Sequence, residues 1–418
     1  MKVAEVFVPG GLPKYTYVPR VERGLEDQLS AAKDNLCKIA TVTGATKSGK
    51  TVLVRKVFAD APMIWLDGGH IKSEQDFWNI VGAQLGVVCE REQSDTKSNS
   101  SELGAEGTIE TGVIIAKGSA KAIGKTGRSA SSSEKRKILT FTPWQAGEML
   151  KAKKTPLIID DFHYIPRTLQ GVITRNLKPL VFEGLPVVYL AIPHRRYDAV
   201  KVEREMNGRI ESVEVPSWTE QELMQISELG FPLLNVKPDV TVSSRLANET
   251  QGSPHLMQEF CRNICYKSGF RETPTEPKYI VPGFDYGIIF REVARDLGKS
   301  IYDKLAKGPR QRTDRLLRKL KSGQSVDIYK VVLLGLAHLK PGVQTIEYEE
   351  LRNALRLVLD EELPQAHEIA RVLEQMAKVS SLDESSVPVI DYEKEDRKLH
   401  VTDPFFAFFL RWGAEVME

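Results

Sequence analysis

The sequence predicts an α/β fold: a three-layer domain on a parallel sheet, followed by a mostly helical C-terminal half. Three observations predict it. Between residues 38 and 270, short apolar, β-branched runs alternate with segments of helical spacing. A glycine-rich turn from Gly44 to Thr51 joins the first of those runs to a helical pattern. After about residue 270 the apolar residues recur at threes and fours, the spacing of packed helices.

Taken in order, residues 1–37 read as an approach segment that turns at its Gly and Pro residues and then becomes helical. The candidate strands are 38–44 (KIATVTG), 61–69 (APMIWLDGG), 155–161 (TPLIIDD), 185–192 (LPVVYLAI) and 211–217 (ESVEVPS). They are apolar on both faces, as strands covered by helices on two sides are. "SEQDFWNIVGAQLG" and "PWQAGEMLKAKK" supply interposed helices, so 38–220 is expected to be one three-layer domain. Residues 91–137 interrupt it with a stretch rich in Ser, Gly, Lys and Thr; its ends read as linker and its middle as a hairpin. An insertion of that length is either mobile or a contact for assembly or a partner. A helical lid is expected over 221–300, and a helical linker with a winged helix over 301–418. In that last part three helices precede two extended pieces around a charged turn, the order of a helix-turn-helix variant used both to bind DNA and to join proteins.

The 418 residues are 41% apolar and 27% charged, which supports a sizeable core. A formal net charge of +2 leaves any nucleic-acid contact to a local patch. The four cysteines form no C-x-x-C pair and read as small buried hydrophobes in a reducing compartment. No run approaches the roughly 18 apolar residues of a membrane span, so a soluble cytoplasmic protein without membrane contact is expected.

The turn "GATKSGKT" has the spacing G-x-x-x-x-G-K-[ST] between a strand and a helix. That is the phosphate loop of P-loop NTPases, in which backbone N–H groups and a helix N-terminus cradle phosphates. Gly44, Ala45, Thr46, Lys47, Ser48, Gly49, Lys50, Thr51 and Val52 are the expected nucleotide contacts. Lys50 is expected to reach the β- and γ-phosphates and the Thr51 hydroxyl to hold Mg²⁺ with ATP. In "PLIIDDFHYIP" an apolar strand ends in Asp160, the carboxylate expected on the Mg²⁺ side. Asp161 follows where many such ATPases place a glutamate that polarises the attacking water. Its side chain is one methylene shorter, which predicts slow hydrolysis; the plainer alternative is a carboxylate bonded to the loop. At the end of the 185–192 strand, His194 is positioned to sense the γ-phosphate or is only a turn residue, with Arg195 and Arg196 beside it. Arg209, just before the last strand, is a candidate arginine finger toward a neighbouring subunit, with Arg204 in reserve. Surface ion pairing is the alternative for both.

Five features together resemble the archaeal-type and STAND branch of AAA+-related ATPases: "TYVPR" (16–20), the phosphate loop, "LIIDDFH", "GSPHLM" (252–257) and "LHVTDPFFAFFLRW" near the C-terminus. The resemblance implies an ATPase core followed by a helical lid and a winged helix. It implies that Arg20 and its neighbours lie against the base and phosphates, and that Gly252–His255 contact the nucleotide when the lid closes. Pro254 matches the lid proline of the G-x-P motif, and a Gly-x-Pro turn opening a helix makes a rigid pivot. His255 stands where many relatives have an arginine, which favours a switch over a motor. Members of this branch are similar to ATPases of bacterial signalling and anti-phage systems that assemble on binding ATP, which implies a homo-oligomer and a separate effector protein.

A DNA-binding AAA+ protein, resembling origin initiators or transposition regulators, is the competing expectation. It draws on the winged helix and on the run 304–321, where Lys304, Lys307, Arg310, Arg312, Arg315, Arg318, Lys319 and Lys321 face the single acid Asp314. Phosphate binding by such a run is steeply salt-dependent; the plainer reading is a solvated helix face. The third winged-helix helix carries several glutamates and few cations, which suits protein packing better than base readout.

Overall fold

A computed structural model of the chain describes residues 1–33, 37–60, 62–86, 142–192, 208–280, 284–309, 316–380 and 388–414. The insertion 91–137, His194, Arg195, Arg196, Arg204, Arg310, Arg312, Asp314 and Arg315 lie outside the described residues.

Five strands form the first domain: β1 (Ile39–Gly44), β2 (Ile64–Asp67), β3 (Leu157–Asp160), β4 (Val187–Ala191) and β5 (Ile210–Val215). All neighbours are parallel, in the order β2-β3-β4-β1-β5. Every residue of β1 and of β4 is buried, because the sheet is covered on both sides. Ile39, Leu157, Ile159, Val187 and Tyr189 pack against Glu74–Gln84, Pro143–Lys153 and Arg167–Phe182. Ala40, Val42, Ile158, Val188 and Leu190 face the other way, onto the helix Lys50–Val57 and the short helix Leu25–Ser30. The alternation is the period-two geometry of a strand, and it produces helix, sheet and helix as three layers. A parallel sheet sends every strand's carboxyl end to one edge. Gly44, Asp67, Asp160, Ala191 and Val215 therefore share one rim, the place where open α/β sheets hold ligands.

From residue 220 the chain is mostly helical: Glu220–Leu233, Val240–Glu249, Pro254–Lys267 and the long helix Tyr286–Lys307, with the short strands Val236–Pro238 and Lys278–Ile280 paired among them. The winged helix follows as helices Ile328–Leu339, Tyr348–Val358 and Ala366–Ser380 with a three-stranded antiparallel sheet. The strand Thr345–Glu347 pairs with Lys398–Val401, which pairs with Ile390–Glu393. The final helix, Pro404–Trp412, returns to the long helix, where Phe290 meets Phe408 and Trp412 at 6.0 and 5.0 Å between ring centroids. Phe260 of the lid packs on both Phe290 and Phe408. One continuous core consequently joins the lid to the winged helix. The N-terminal segment belongs to it too: Val3, Val6 and Phe7 are fully buried, and Phe7 stands edge-on to Phe231 at 5.2 Å.

Of the described part of the basic run, Lys304 and Lys307 lie in the last turn of the long helix Tyr286–Lys307, but residues 316–321 are not a helix face. Leu317–Lys319 is a strand paired with Ser325–Asp327. Arg318 reaches Glu361 and Glu368 at 3.5 and 3.4 Å, Lys319 reaches Asp360 at 2.8 Å, and Lys321 donates to the Arg356 carbonyl. Among the described residues no helix is long and apolar enough to cross a membrane.

Candidate functional site

The phosphate loop leaves β1 at Gly44 and enters the helix Lys50–Val57 at Gly49. Two glycines are needed for steric reasons. A Cβ on Gly44 would stand 2.7 Å from the Val215 carbonyl, and Gly49 holds φ 91, ψ 15, a left-handed geometry that side chains resist. The Lys50 side chain folds over the loop and donates to the carbonyls of Gly44 and Ala45 at 2.8 and 2.9 Å. Burial pulls its ammonium down to about 8, with Asp161 and Asp160 acting in the opposite direction. The Ser48 hydroxyl is buried in the loop without a hydrogen-bond partner.

Across the rim, Thr51 Oγ1 donates to Asp160 Oδ2 at 3.0 Å, and the Asp161 amide donates to Asp160 Oδ1 at 3.0 Å. Asp161 itself is left-handed, at φ 49 and ψ 43. Burial raises both carboxyls. Asp161 rises to about 6, helped by the neighbouring Asp160 and by Asp67 and opposed by Lys50. Asp160 rises less freely, because its bonds to Thr51 and to the Asp161 amide favour the charged form. Asp67 joins them because β2 pairs with β3 in a register that sets Asp67 against Asp160. Three carboxylates on one rim repel one another, and a divalent cation beside Thr51 and Asp160 would relieve that repulsion. A buried lysine, an unpartnered loop hydroxyl and converging carboxylates fit a nucleotide phosphate chain with Mg²⁺.

A cavity of about 1070 Å³ opens from this rim, lined by Thr46 to Leu53, Asp160 and Asp161 on the sheet side. Its other walls are the N-terminal segment, the lid and the winged helix. Gln251 and Gly252 turn through φ 52 and 73, Ser253 caps the lid helix, and Pro254 and His255 open it onto the cavity. His255 packs edge-on against Phe405 at 4.8 Å, and the Lys47 ammonium sits 5.2 Å from the same ring's centroid. Burial, then Lys47 and Arg262, push the His255 imidazole down to about 4, so it is neutral at pH 7. Phe405 is fixed by Asp403, which caps the last helix by accepting from the Phe405 and Phe406 amides at 2.8 and 2.9 Å. The C-terminal body thus rests on the phosphate loop itself.

The other expected residues fall elsewhere. Arg20 lines the cavity, but its guanidinium donates to the Pro216 and Ser217 carbonyls and pairs with Glu222 at 3.1 Å. It anchors the N-terminal segment to the lid. Arg209 lies over the Phe182 ring at 5.7 Å. Its carbonyl accepts from Ile39, at the amino end of the sheet. The length of β1, about 17 Å at about 3.3 Å per residue, separates it from its own phosphate loop. Contacts missed in the sequence are Asp67, Asp403 with Phe405, and Trp218, whose indole N–H donates to the Ser48 carbonyl. Only their place in the fold brings them to the loop.

A phosphate loop, an acidic strand separated from it by β4, and a covering lid with a winged helix define the class: this is a P-loop NTPase fold. Among solved structures, the chain is similar to the Walker-type ATPase PABY2304 of Pyrococcus abyssi, at 13% identity over 97% of this chain and 99% of that one, with a TM-score of 0.53. It is also similar to the Aeropyrum pernix ORC1 protein in complex with DNA, at 14% identity over 97% and 94%, TM-score 0.44. A third is the STAND protein PH0952 of Pyrococcus horikoshii, which has a tetratricopeptide repeat sensor, at 14% identity over 92% of this chain and 41% of that one, TM-score 0.35. The first likeness is one of fold; the other two superpose more loosely. No family model matches the chain, and no curated protein does.

Proposed function

We propose that this protein is an ATP-driven switch. It binds MgATP between the sheet rim and the lid–winged-helix body, hydrolyses it slowly, and uses the nucleotide to set how that body rests on the core. The observation that carries the reading is the contact of Lys47, inside the phosphate loop, with Phe405 and its neighbour His255. A ligand that draws Lys47 toward a phosphate weakens the grip on Phe405, so binding energy is spent on moving the C-terminal body.

Lys50 and the loop amides hold the phosphates, Thr51 and Asp160 hold the Mg²⁺, and Asp161 orients the attacking water. Mg²⁺ supplies charge compensation for the phosphates and for the crowded carboxylates. Arg209 is the candidate arginine finger toward a neighbouring subunit's nucleotide, its own loop lying at the far end of the sheet, and assembly into a homo-oligomer is part of this reading. His194 is kept as the γ-phosphate sensor, and Gly252–His255 as the lid contact. By its resemblance to STAND ATPases the switch would control a separate effector in the cytoplasm, with anti-phage defence as the setting. The competing reading is a DNA-bound ATPase of initiator type. Against it stand the ion pairs of Arg318 and Lys319 with acids of their own domain.

Steady-state ATP turnover across a range of protein concentrations, with and without double-stranded DNA, separates the two. Slow turnover that rises with protein concentration and ignores DNA supports the switch. Several-fold stimulation by DNA that disappears at high salt overturns it in favour of the DNA-bound ATPase.

A further inference from the structure

The segment Pro216–Thr219 leads from β5 into the first lid helix and passes beside the phosphate loop. There Trp218 donates its indole N–H to the Ser48 carbonyl at 2.8 Å. The Ser48 carbonyl and the Gly49 N–H belong to one planar trans peptide, in which they point in opposite directions. A donor that holds the carbonyl therefore also holds the N–H, aiming it away from Trp218 and across the loop. This peptide needs such a hold, because glycine at position 49 leaves its rotation inexpensive.

The indole is itself covered by a guanidinium that is held in turn. The Arg20 guanidinium lies 4.7 Å from its centroid. Arg20 is tied to the Pro216 and Ser217 carbonyls and to Glu222, all at 3.1 Å. Glu222 in turn accepts from the Thr219 amide at 2.8 Å and pairs with Arg23 at 3.1 Å. The N-terminal segment, the first turn of the lid and the phosphate loop thus converge on one side chain.

We infer that Trp218 is a positioning residue: it aims the Gly49 N–H at the nucleotide's phosphates and passes the position of the lid to the loop. The inference rests on the nucleotide-binding reading above. It predicts that Trp218 matters to the phosphates and not to the nucleoside. Trp218→Phe keeps an aromatic ring under Arg20 and removes only the donor. Binding of MgADP, read by calorimetry, should weaken about three- to tenfold, the worth of one hydrogen bond, while adenosine binding stays unchanged.

Equal loss for MgADP and adenosine would make the ring mere packing and overturn the inference, as would no loss for either. If the unmodified protein fails to bind MgADP, the function reading itself falls; unmodified binding with an insensitive variant sinks only the role of Trp218. A second measurement covers the case in which the variant does not fold. In the unmodified protein the Trp218 indole N–H, followed in ¹⁵N spectra, should exchange with water far more slowly than that of Trp144, which is 74% exposed. Equal exchange of the two would overturn the inference.

Discussion

Asp161→Asn should make the protein more stable in the absence of nucleotide and Mg²⁺, and far less active in their presence. The carboxyl sits beside Asp160 and Asp67 in a half-buried site that lifts it from 3.8 to about 6. A rise of that size corresponds to about 3 kcal/mol at about 1.36 kcal/mol per pH unit. Water reaches the carboxylate through the cavity and screens it, so about 1–2 kcal/mol is expected in practice. Because the folded value lies above the unfolded one, the native state holds the proton more tightly. The destabilisation is absent below about pH 4, grows as pH rises toward about 6, and is complete above it. Asparagine suits the left-handed backbone at this position, so the substitution adds little strain. Urea unfolding should show the variant more stable by about 1–2 kcal/mol at pH 7.5, with most of the gap closed at pH 4.5. Its ATP turnover should fall by about 10²–10⁴-fold, the usual contribution of a positioned base. No gain at pH 7.5, or the same gain at both pH values, would refute the electrostatic account of the rim.

Three further substitutions probe the remaining parts. Lys50→Met removes a charged donor and should weaken MgADP binding by about tenfold or more in calorimetry. Phe405→Ala removes the contact that competes with phosphate for Lys47, so a fluorescent ADP should leave about three- to tenfold more slowly in stopped flow, the scale of one aromatic contact. Arg209→Ala should leave nucleotide affinity unchanged while lowering turnover by about 10³-fold at protein concentrations where the wild type assembles. A loss of affinity in that variant would place Arg209 in the wrong role.

What could be read from sequence follows from the range of the interactions. The strand expected at 38–44 is Ile39–Gly44, and the one expected at 185–192 is Val187–Ala191, because two-sided burial leaves its mark residue by residue. The wider expectation at 61–69 shrinks to Ile64–Asp67; the following Gly68–His70 turns through a tight helical bend capped by the Asp67 side chain. The loop and Asp160 were legible because spacing and a following helix define them locally. Trp218 and Phe405 were not. Each meets the loop across more than 160 residues of chain, and nothing local distinguishes them from core aromatics. "DPFFAFFLRW" reads as core, and Phe406, Phe408 and Phe409 are buried; Phe405 alone among them turns to the cavity. The unity of the lid and winged helix is likewise a property of packing, since each helix needs only some apolar partner and the sequence does not say which.

In the proposed switch, nucleotide moves the C-terminal body relative to the core. Spin labels at Asp60, on the core surface, and at Lys378, on the winged helix, with Cys37 and Cys89 replaced, measure that separation directly. Such a switch gives one distance distribution with MgADP and a clearly different one with a non-hydrolysable ATP analogue. Identical distributions at saturating concentrations of both would contradict it, leaving a nucleotide site with no switch attached.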